Sequence, residues 1–346
     1  MADLRLSLAI SDYVHTRDLA DGRIKPVGIE LTVNELPFEQ AAFRFGANRE
    51  FDVSEFSFAN YCAIRSSPDG GDLVALPVFP SRVFRHSSIH INSKSGIASA
   101  SDLKGRKVGI PQWSQTATVY VRGFLQHHAG VALSAIKWIQ AGVDDAGRQD
   151  PVKLRLPAGV TIESFPDRTL GQMLVEGEID AIITARPPRC FMEGEPGVRR
   201  LYPNYREDEE RYFARTGIFP IMHVIAMKRS VYEANPWIAH NLFDAFDAAK
   251  RASMRRCYNI QSSYIPTGWV PDDLEHTHRL LFGDGDPWPY GLSVIGRQSS
   301  RSSPIAMSRV SRNASSPQGS CSLKSSLSRS GCSGGAFALS LRRKMP

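Results

Sequence analysis

The chain has 346 residues, of which 42% are hydrophobic, so it is long enough for two ordinary domains and too apolar for overall disorder. It contains no run of eighteen apolar residues, and we therefore predict no membrane span. The net charge of +7 is uneven, because residues 293–346 hold nine basic side chains and no acidic one. The other residues carry 33 basic and 35 acidic side chains, a net charge of −2, without a basic stripe. We expect neither a nucleic-acid partner nor a membrane partner.

The first ten residues, MADLRLSLAI, have neither the basic start nor the long apolar core of a secretion signal. The five cysteines show no CxxC pair and no zinc spacing, as in a reducing compartment. These features predict a cytoplasmic location.

Alternating and periodic apolar residues predict a succession of strands and helices. The first strands are Leu4–Ile10, Val27–Leu36, Asp52–Glu55 and Leu73–Phe79, with helices at Phe38–Phe45 and up to Ala63. Next come strands Ile89–Asn92 and Lys107–Ile110, followed by a helix that Ser114 caps and that runs to about His127. Residues 141–168 are predicted to form a loop, which precedes helix Leu170–Glu176 and strand Ile179–Thr184. Helix Glu207–Arg215, strand Met222–Met227 and helices Asn235–Tyr258 and Asp272–Leu281 follow. This order predicts mostly parallel sheets flanked by helices.

The composition changes abruptly after Leu292. The last 54 residues contain seventeen serines, one aromatic residue and no acid. Such a segment buries too little apolar surface to offset its ordering entropy, so we predict a disordered tail over residues 293–346. We also hypothesise a reading-frame shift near Leu292–Ser293.

Two phrases of the sequence are similar to the second lobe of type II periplasmic binding proteins. One is Ser95-Gly96-Ile97 with DLKGRKVGIP at 102–111, and the other is EGEIDA at 176–181. The resemblance implies a two-lobed α/β fold, with residues 1–87 and 224–292 in lobe one and residues 88–223 in lobe two. In such open sheets, ligands bind beyond the carboxyl ends of the strands.

The strand that ends at Pro111 leads into a helix that we expect to begin near Ser114. Free backbone N–H groups at a helix N-terminus suit a carboxylate or phosphate. We therefore predict an anion site at Ser114, Gln115 and Thr116. The alternative is a helix cap without a ligand.

A closer resemblance covers residue 4 to about residue 292. The segments PSRVFRHS at 80–87, TARPP at 184–188, RTGIFPIMH at 215–223 and WPYG at 288–291 resemble the 4,5-dihydroxyphthalate decarboxylase family. The resemblance implies a cytoplasmic decarboxylase of a hydroxylated aromatic dicarboxylate. It would convert 4,5-dihydroxyphthalate to 3,4-dihydroxybenzoate and CO2 by general acid/base catalysis in the cleft between the lobes. The Ser/Arg-rich residues after 292 depart from the family, which continues there with helical, acid-containing sequence.

Loss of a ring carboxylate as CO2 requires proton transfer at a ring hydroxyl and at the ring carbon. His223 is the first candidate, because it lies where the chain is expected to return to lobe one. Glu55, at the end of a strand, is a candidate base or hydroxyl ligand, and His86 is a third catalytic candidate. Alternatively, His223 is only hydrogen-bonded within the hinge, and Glu55 is only an acid at a helix N-terminus that interacts with the helix dipole.

Cationic side chains are needed to bind the substrate carboxylates. Arg85 lies on the predicted crossover and Arg186 follows the strand Ile179–Thr184, so both are candidates. A surface arginine or an ion pair is the alternative for Arg186. Asp12 and Tyr13, at the end of the first strand, complete the predicted substrate-binding set.

The chemistry requires no organic cofactor, and none is predicted. His86 and His90 would be about 13 Å apart along a strand, too far to share one ion, so no metal ligand is predicted. A divalent metal held by residues that folding brings together stays open, as does the oligomeric state. The alternative functions are a solute-binding protein for a small organic anion, another cytoplasmic enzyme of the same fold, and a truncated, inactive product.

Overall fold

The computed structural model describes residues 3–292, except 69, 149 and 152–155. The tail that we predict to be disordered, residues 293–346, lies outside the described residues. The described chain forms two α/β lobes, each built around one sheet.

Across the described residues there are eleven strands, all in these two sheets. The strands are β1 (Leu4–Ile10), β2 (Ile29–Glu35), β3 (Val53–Ser57), β4 (Leu73–Leu76), β5 (Ile89–Asn92), β6 (Lys107–Ile110), β7 (Lys137–Gly142), β8 (Ile162–Thr169), β9 (Ala181–Ile183), β10 (Val198–Arg200) and β11 (His223–Lys228). The α-helices are α1 (Arg17–Ala20), α2 (Phe38–Asn48), α3 (Phe58–Arg65), α4 (Thr116–His127), α5 (Leu170–Glu176), α6 (Arg189–Met192), α7 (Tyr205–Thr216), α8 (Arg229–Ala234), α9 (Ile238–Cys257) and α10 (Val270–Leu281).

The sheet of lobe one has the strand order β2-β1-β3-β11-β4. The first four strands in sequence run in one direction, and β11 runs against its neighbours β3 and β4. Every residue of β3 is buried, as expected for a central strand with both faces covered. Apolar side chains from the sheet, α2 and α9 form the lobe-one core, in which Phe45 and Phe246 are fully buried.

The sheet of lobe two has the order β10-β5-β9-β6-β7-β8. Its strands also run in one direction, except β5, which is antiparallel to β9 and β10. Helix α4 covers this sheet with Ala117, Val121 and Leu125, which are spaced four residues apart and therefore share one face.

Each lobe thus has a mostly parallel sheet with one antiparallel strand. In both lobes that strand, β5 or β11, is the first one after the chain crosses over from the other lobe. The chain crosses between β4 and β5 and returns between β10 and β11. This is a two-lobed type II periplasmic-binding-protein-like fold, as the sequence predicts. The residue boundaries at 87/88 and 223/224 stay predictions, although His223 is the first residue of β11 in the lobe-one sheet.

Several sequence predictions of local structure are wrong. Residues 162–169 form β8 instead of a loop, because this polar edge strand pairs on one side only, with β7, and shows no buried alternation. The predicted helix Asn235–Tyr258 begins at Ile238, after a separate short helix α8. Helix α4 begins at Thr116, and its N-cap is Gln115 instead of Ser114. Among the described residues, no helix is long and apolar enough to cross a membrane.

Candidate active site

The site begins with an acidic side chain inside the central strand of lobe one. Glu55 lies in β3 and its residue is 0% exposed to solvent. In the antiparallel pairing of β3 with β11, Ser57 lies opposite His223. Because side chains alternate along a strand, Glu55, Ser57 and His223 share one face of the sheet, and Glu55 is the diagonal neighbour of His223.

The carboxylate of Glu55 is fully engaged by hydrogen-bond donors. Its Oε1 accepts from Nδ1 of His223 at 2.6 Å and from the hydroxyl of Tyr13 at 2.5 Å. Its Oε2 accepts from the backbone N–H and the hydroxyl of Ser11, at 2.9 and 2.7 Å. Ser11 and Tyr13 follow the carboxyl end of β1, the strand beside β3, so local sequence order brings these donors to the carboxylate.

Burial and hydrogen bonding act in opposite directions on Glu55. Desolvation by burial raises the pKa of this carboxyl group, but the hydrogen bond and charge of His223, with the bonds from Tyr13 and Ser11, outweigh it, so the pKa lies below its ordinary value. Burial and the adjacent Glu55 charge raise the pKa of Tyr13 far above its ordinary value. At neutral pH the site therefore holds a carboxylate and a neutral phenol.

The imidazole ring of His223 is contacted at one nitrogen, Nδ1, and on one of its two faces. Nδ1 contacts Glu55 and lies 3.2 Å from the hydroxyl of Tyr13. The ring stacks on Phe38, the first residue of α2, with centroids 3.6 Å apart and an interplanar angle of 6°. Nε2 has no hydrogen-bond partner within the described part of the chain, and the side chain is 16% exposed. His223 can thus exchange a proton at Nε2 while Glu55 holds Nδ1.

Two predicted residues of lobe two contact lobe one directly. The hydroxyl of Thr116 lies 2.9 Å from that of Ser57 and accepts a hydrogen bond from the backbone N–H of Ala59. Arg186, whose side chain is 70% exposed, forms an ion pair with Glu39 of α2. Because Phe38 and Ser57 both border His223, these contacts place the edge of lobe two beside the Glu55–His223 pair.

The predicted anion site at the start of α4 contains a carboxylate of the protein itself. Asp150 accepts hydrogen bonds from the backbone N–H groups of Trp113 and Ser114 and from the Ser114 hydroxyl. Gln115 accepts a hydrogen bond from the Thr118 hydroxyl through its side-chain oxygen. Ser114 therefore binds an acidic group in this structure, and a substrate carboxylate would have to replace Asp150 to use the same donors.

Comparison with known proteins shows the family of the chain. No protein-family model matches the chain. A 4,5-dihydroxyphthalate decarboxylase of Comamonas testosteroni is 33% identical over 294 residues, which are 85% of this chain and 88% of that protein. A 4,5-dihydroxyphthalate decarboxylase of Pseudomonas putida is 39% identical over 203 residues, 58% of this chain and 78% of its own length. The chain belongs to the 4,5-dihydroxyphthalate decarboxylase family.

Solved structures similar to this member of the decarboxylase family include periplasmic binding proteins. The aliphatic sulphonate binding protein of Escherichia coli has a TM-score of 0.48 at 14% identity, covering 89% of this chain and 97% of that one. The alkanesulfonate-binding protein of Xanthomonas axonopodis pv. citri, bound to MOPS, has a TM-score of 0.46 at 14% identity over 90% and 98% of the two chains.

Arg85 spans the two lobes of this decarboxylase-family chain near the catalytic candidates. Its guanidinium donates to the backbone carbonyl of Ala185, next to Arg186, and contacts the sulfur of Met222, next to His223. Burial lowers the pKa of Arg85 to about 10, so the group stays charged at neutral pH. Among the described residues no carboxylate hydrogen-bonds Arg85, and Glu209 acts on its charge only at a distance.

His86 and Asp12 are not brought to the Glu55–His223 pair. His86 is buried among the rings of Phe124, Tyr202 and Tyr212, and burial lowers its pKa to about 4. Asp12 is exposed and pairs with Arg17. The catalytic role of His86 and the binding role of Asp12 stay predictions without a contact that supports them.

Two site residues were missed by sequence reasoning in this family member. Phe38, which stacks on His223, was predicted only as the start of a helix. His15 lies between the rings of Tyr13 and Trp288, at centroid distances of 5.2 and 5.6 Å, and burial lowers its pKa to about 4. Its position in the sequence, two residues after Tyr13, could have indicated that His15 lies near the site. Within the described residues, no group of three or more His, Cys, Asp or Glu could hold a metal ion.

Proposed function

We propose that this chain decarboxylates 4,5-dihydroxyphthalate, giving 3,4-dihydroxybenzoate and CO2, with His223 as the group that transfers the proton. The observation that carries the proposal is the hydrogen bond from Nδ1 of His223 to buried Glu55, which leaves Nε2 as the nitrogen that can give or take a proton. Membership of the 4,5-dihydroxyphthalate decarboxylase family supports the choice of substrate.

The reaction replaces a carboxylate on the ring by a proton. The hydroxyl para to the leaving carboxylate supplies electron density, and a proton from Nε2 is added to the ring carbon that carries the carboxylate. The bond to the carboxylate carbon then breaks, its electron pair restores the aromatic ring, and CO2 leaves. One proton is consumed per turnover, and the ring itself accepts the electrons, so the sequence of steps requires no organic cofactor.

Glu55 and Tyr13 orient His223 in this proposal. The carboxylate of Glu55 stabilises the imidazolium form and holds the ring, as a buried acid does in other histidine-dependent sites. Tyr13 stays protonated and donates to Glu55, which keeps the carboxylate charged within an apolar core.

The substrate carboxylates are assigned to the cations that border the cleft. Arg85 has no hydrogen-bonded acid in the described chain, and Arg186 is exposed and paired with a single partner, Glu39. A guanidinium binds a carboxylate in a bidentate geometry, which suits a ligand with two adjacent carboxylates. Ser114, Gln115 and Thr116 are a further anchor only if Asp150 is displaced.

The partner of the protein in this proposal is a small aromatic carboxylate. We propose a cytoplasmic location, from the scattered cysteines without a CxxC pair, and neither a nucleic-acid nor a membrane partner, from the charge distribution.

The test is an assay of the purified full chain with 4,5-dihydroxyphthalate, following substrate loss and 3,4-dihydroxybenzoate formation, with and without a chelator. We expect product from the wild type and a loss of about 10²- to 10⁴-fold in kcat for His223→Ala, the range of a general acid or base. Calorimetric titration with phthalate, which lacks the hydroxyls, measures binding separately. Binding without turnover in the wild type would contradict the proposal and favour a solute-binding protein.

A further inference from the structure

The stack of Phe38 on His223 has a geometry that neutral aromatic pairs do not favour. The centroids are 3.6 Å apart and the planes differ by 6°, so the rings lie face to face almost without lateral offset. Neutral rings prefer an offset or edge-to-face arrangement, because a direct sandwich brings their negative faces together. A cationic ring above the face of a phenylalanine is instead attracted by the negative face.

The other contacts of His223 also favour a cationic ring. Glu55 is a fully buried carboxylate, and His223 is the one basic side chain within hydrogen-bond distance of it among the described residues. Its other donors, from Ser11 and Tyr13, are neutral. The protonated imidazole is therefore attracted by a negative charge in its plane, at Nδ1, and by the face of Phe38 perpendicular to that plane.

We propose that Phe38 is a positioning residue that stabilises the protonated form of His223 and directs Nε2 toward the substrate ring. Phe38 acts through His223 and transfers no proton itself. With one face covered by Phe38 and Nδ1 held by Glu55, the substrate reaches the imidazole at its Nε2 edge. This inference deepens the proposed function and rests on His223 as its proton donor.

The test compares Phe38→Leu, which keeps an apolar side chain but removes the aromatic face, with Phe38→Tyr, which keeps the face. The matched control is Phe43→Leu on the same helix, because the Phe43 side chain is exposed to solvent. Histidine-selective NMR of the substrate-free full chain follows the His223 ring over pH 4 to 9, and assays give kcat and KM separately.

For Phe38→Leu we expect the His223 titration midpoint to move down by about half a unit, the size of a cation–π contribution. We also expect kcat at neutral pH to fall by about tenfold with little change in KM, because an unsupported ring misplaces Nε2. Phe38→Tyr should restore both values, and Phe43→Leu should leave them unchanged.

An unchanged midpoint in Phe38→Leu would overturn the proposal, because simple packing affects stability without affecting the protonation of His223. Tighter phthalate binding by Phe38→Leu with an unchanged midpoint would also overturn it, since Phe38 would then occupy the place of the substrate ring. The NMR titration needs no turnover. A wild type without decarboxylase activity but with the expected midpoint shift would therefore contradict the proposed function and leave the stabilising role of Phe38 supported.

Discussion

Glu55 and His223 lie on one face of the lobe-one sheet, and their side chains meet at 2.6 Å between Oε1 and Nδ1. Strand β3 is buried on both faces, so this carboxylate has no access to solvent. A buried charge is tolerated only when its hydrogen-bonding capacity is satisfied, and the four donors from three side chains and one backbone N–H meet that requirement. The arrangement explains why an acid stands in an otherwise apolar core strand.

The first prediction concerns the charge of Glu55. Glu55→Gln keeps the shape but removes the negative charge that favours protonated His223, and the amide can turn its NH2 group toward Nδ1. We expect kcat to fall by about 10²- to 10⁴-fold, with phthalate affinity within about threefold of the wild type. Asp52→Asn is the control, because Asp52 lies near the same strand but bonds Ser7 and Lys228 away from His223. An unchanged kcat in Glu55→Gln would remove Glu55 from the mechanism.

The second prediction concerns the hydroxyl of Tyr13. Tyr13→Phe removes one donor to the Glu55 carboxylate, so the pKa of Glu55 should rise toward its ordinary value. A carboxyl group whose pKa is depressed loses its charge as the pH falls, so a higher pKa moves the loss of activity to a higher pH. We expect the acidic limb of the kcat/KM profile to move up by about one unit, the equivalent of one hydrogen bond to a charged group.

The control for Tyr13→Phe is Tyr232→Phe on α8, a lobe-one tyrosine outside the site. A large rise in KM with an unmoved acidic limb would show that Tyr13 contacts the substrate instead of supporting Glu55.

The central residues of the site could be predicted because their positions follow from strand order. Tyr13 follows β1, Glu55 lies in the adjacent strand β3, and His223 is the first residue of β11, the strand that returns to the same sheet. Parallel strands end at one edge, so residues there converge whatever the details of the loops. The alternation of apolar residues, together with the resemblance to binding proteins, was sufficient for the fold.

Other residues depend on local geometry that periodicity does not contain. His86 lies in a short 3-10 turn at the crossover, which directs its ring into the aromatic cluster of lobe two instead of the cleft. Asp150 lies in neither a helix nor a strand, so its bond to Ser114 could not be derived from strand order. Phe38 contacts His223 across 185 positions of sequence, and a helix start gives no indication of such a partner.

The third prediction concerns the ion pair between Glu39 and Arg186. In Glu39→Gln the arginine loses its partner and becomes free to bind a substrate carboxylate. Both side chains are partly exposed, so the ion pair contributes only about 0–1 kcal/mol, and the expected fall in KM is about fivefold or less. Steady-state assays of Glu39→Gln and Arg186→Met measure the effect, and we expect KM to rise by about tenfold in Arg186→Met.

Glu50→Gln is the matched control for Glu39→Gln, because Glu50 pairs with Arg44 at the other end of α2. A rise in KM for Glu39→Gln would contradict the competition between Glu39 and substrate, and would show that the ion pair holds the lobes in the binding arrangement.

The last prediction concerns stability at the crossover between the lobes. Glu209 of α7 accepts hydrogen bonds from the backbone N–H groups of His86 and Ser87, and burial raises its pKa to about 7. A group with a raised pKa stabilises the folded state at low pH and loses that contribution as the pH rises from its ordinary value of 4.5 through 7. The free energy of unfolding of the wild type should therefore fall by at most about 3 kcal/mol between pH 4.5 and pH 7 because of this group.

Glu209→Gln keeps an oxygen acceptor for the two N–H groups and cannot ionise. We expect it to equal the wild type near pH 4.5 and to exceed it by about 1–3 kcal/mol at pH 8, measured by urea denaturation at a series of pH values. Glu210→Gln should have the opposite effect on stability. Hydrogen bonds from His276 and Arg206 lower the pKa of Glu210, so its replacement should lower the free energy of unfolding at pH 8. Since the charge of Arg85 lowers the pKa of Glu209, parallel pH curves for wild type and Glu209→Gln would mean that Arg85 keeps Glu209 ionised in the folded protein.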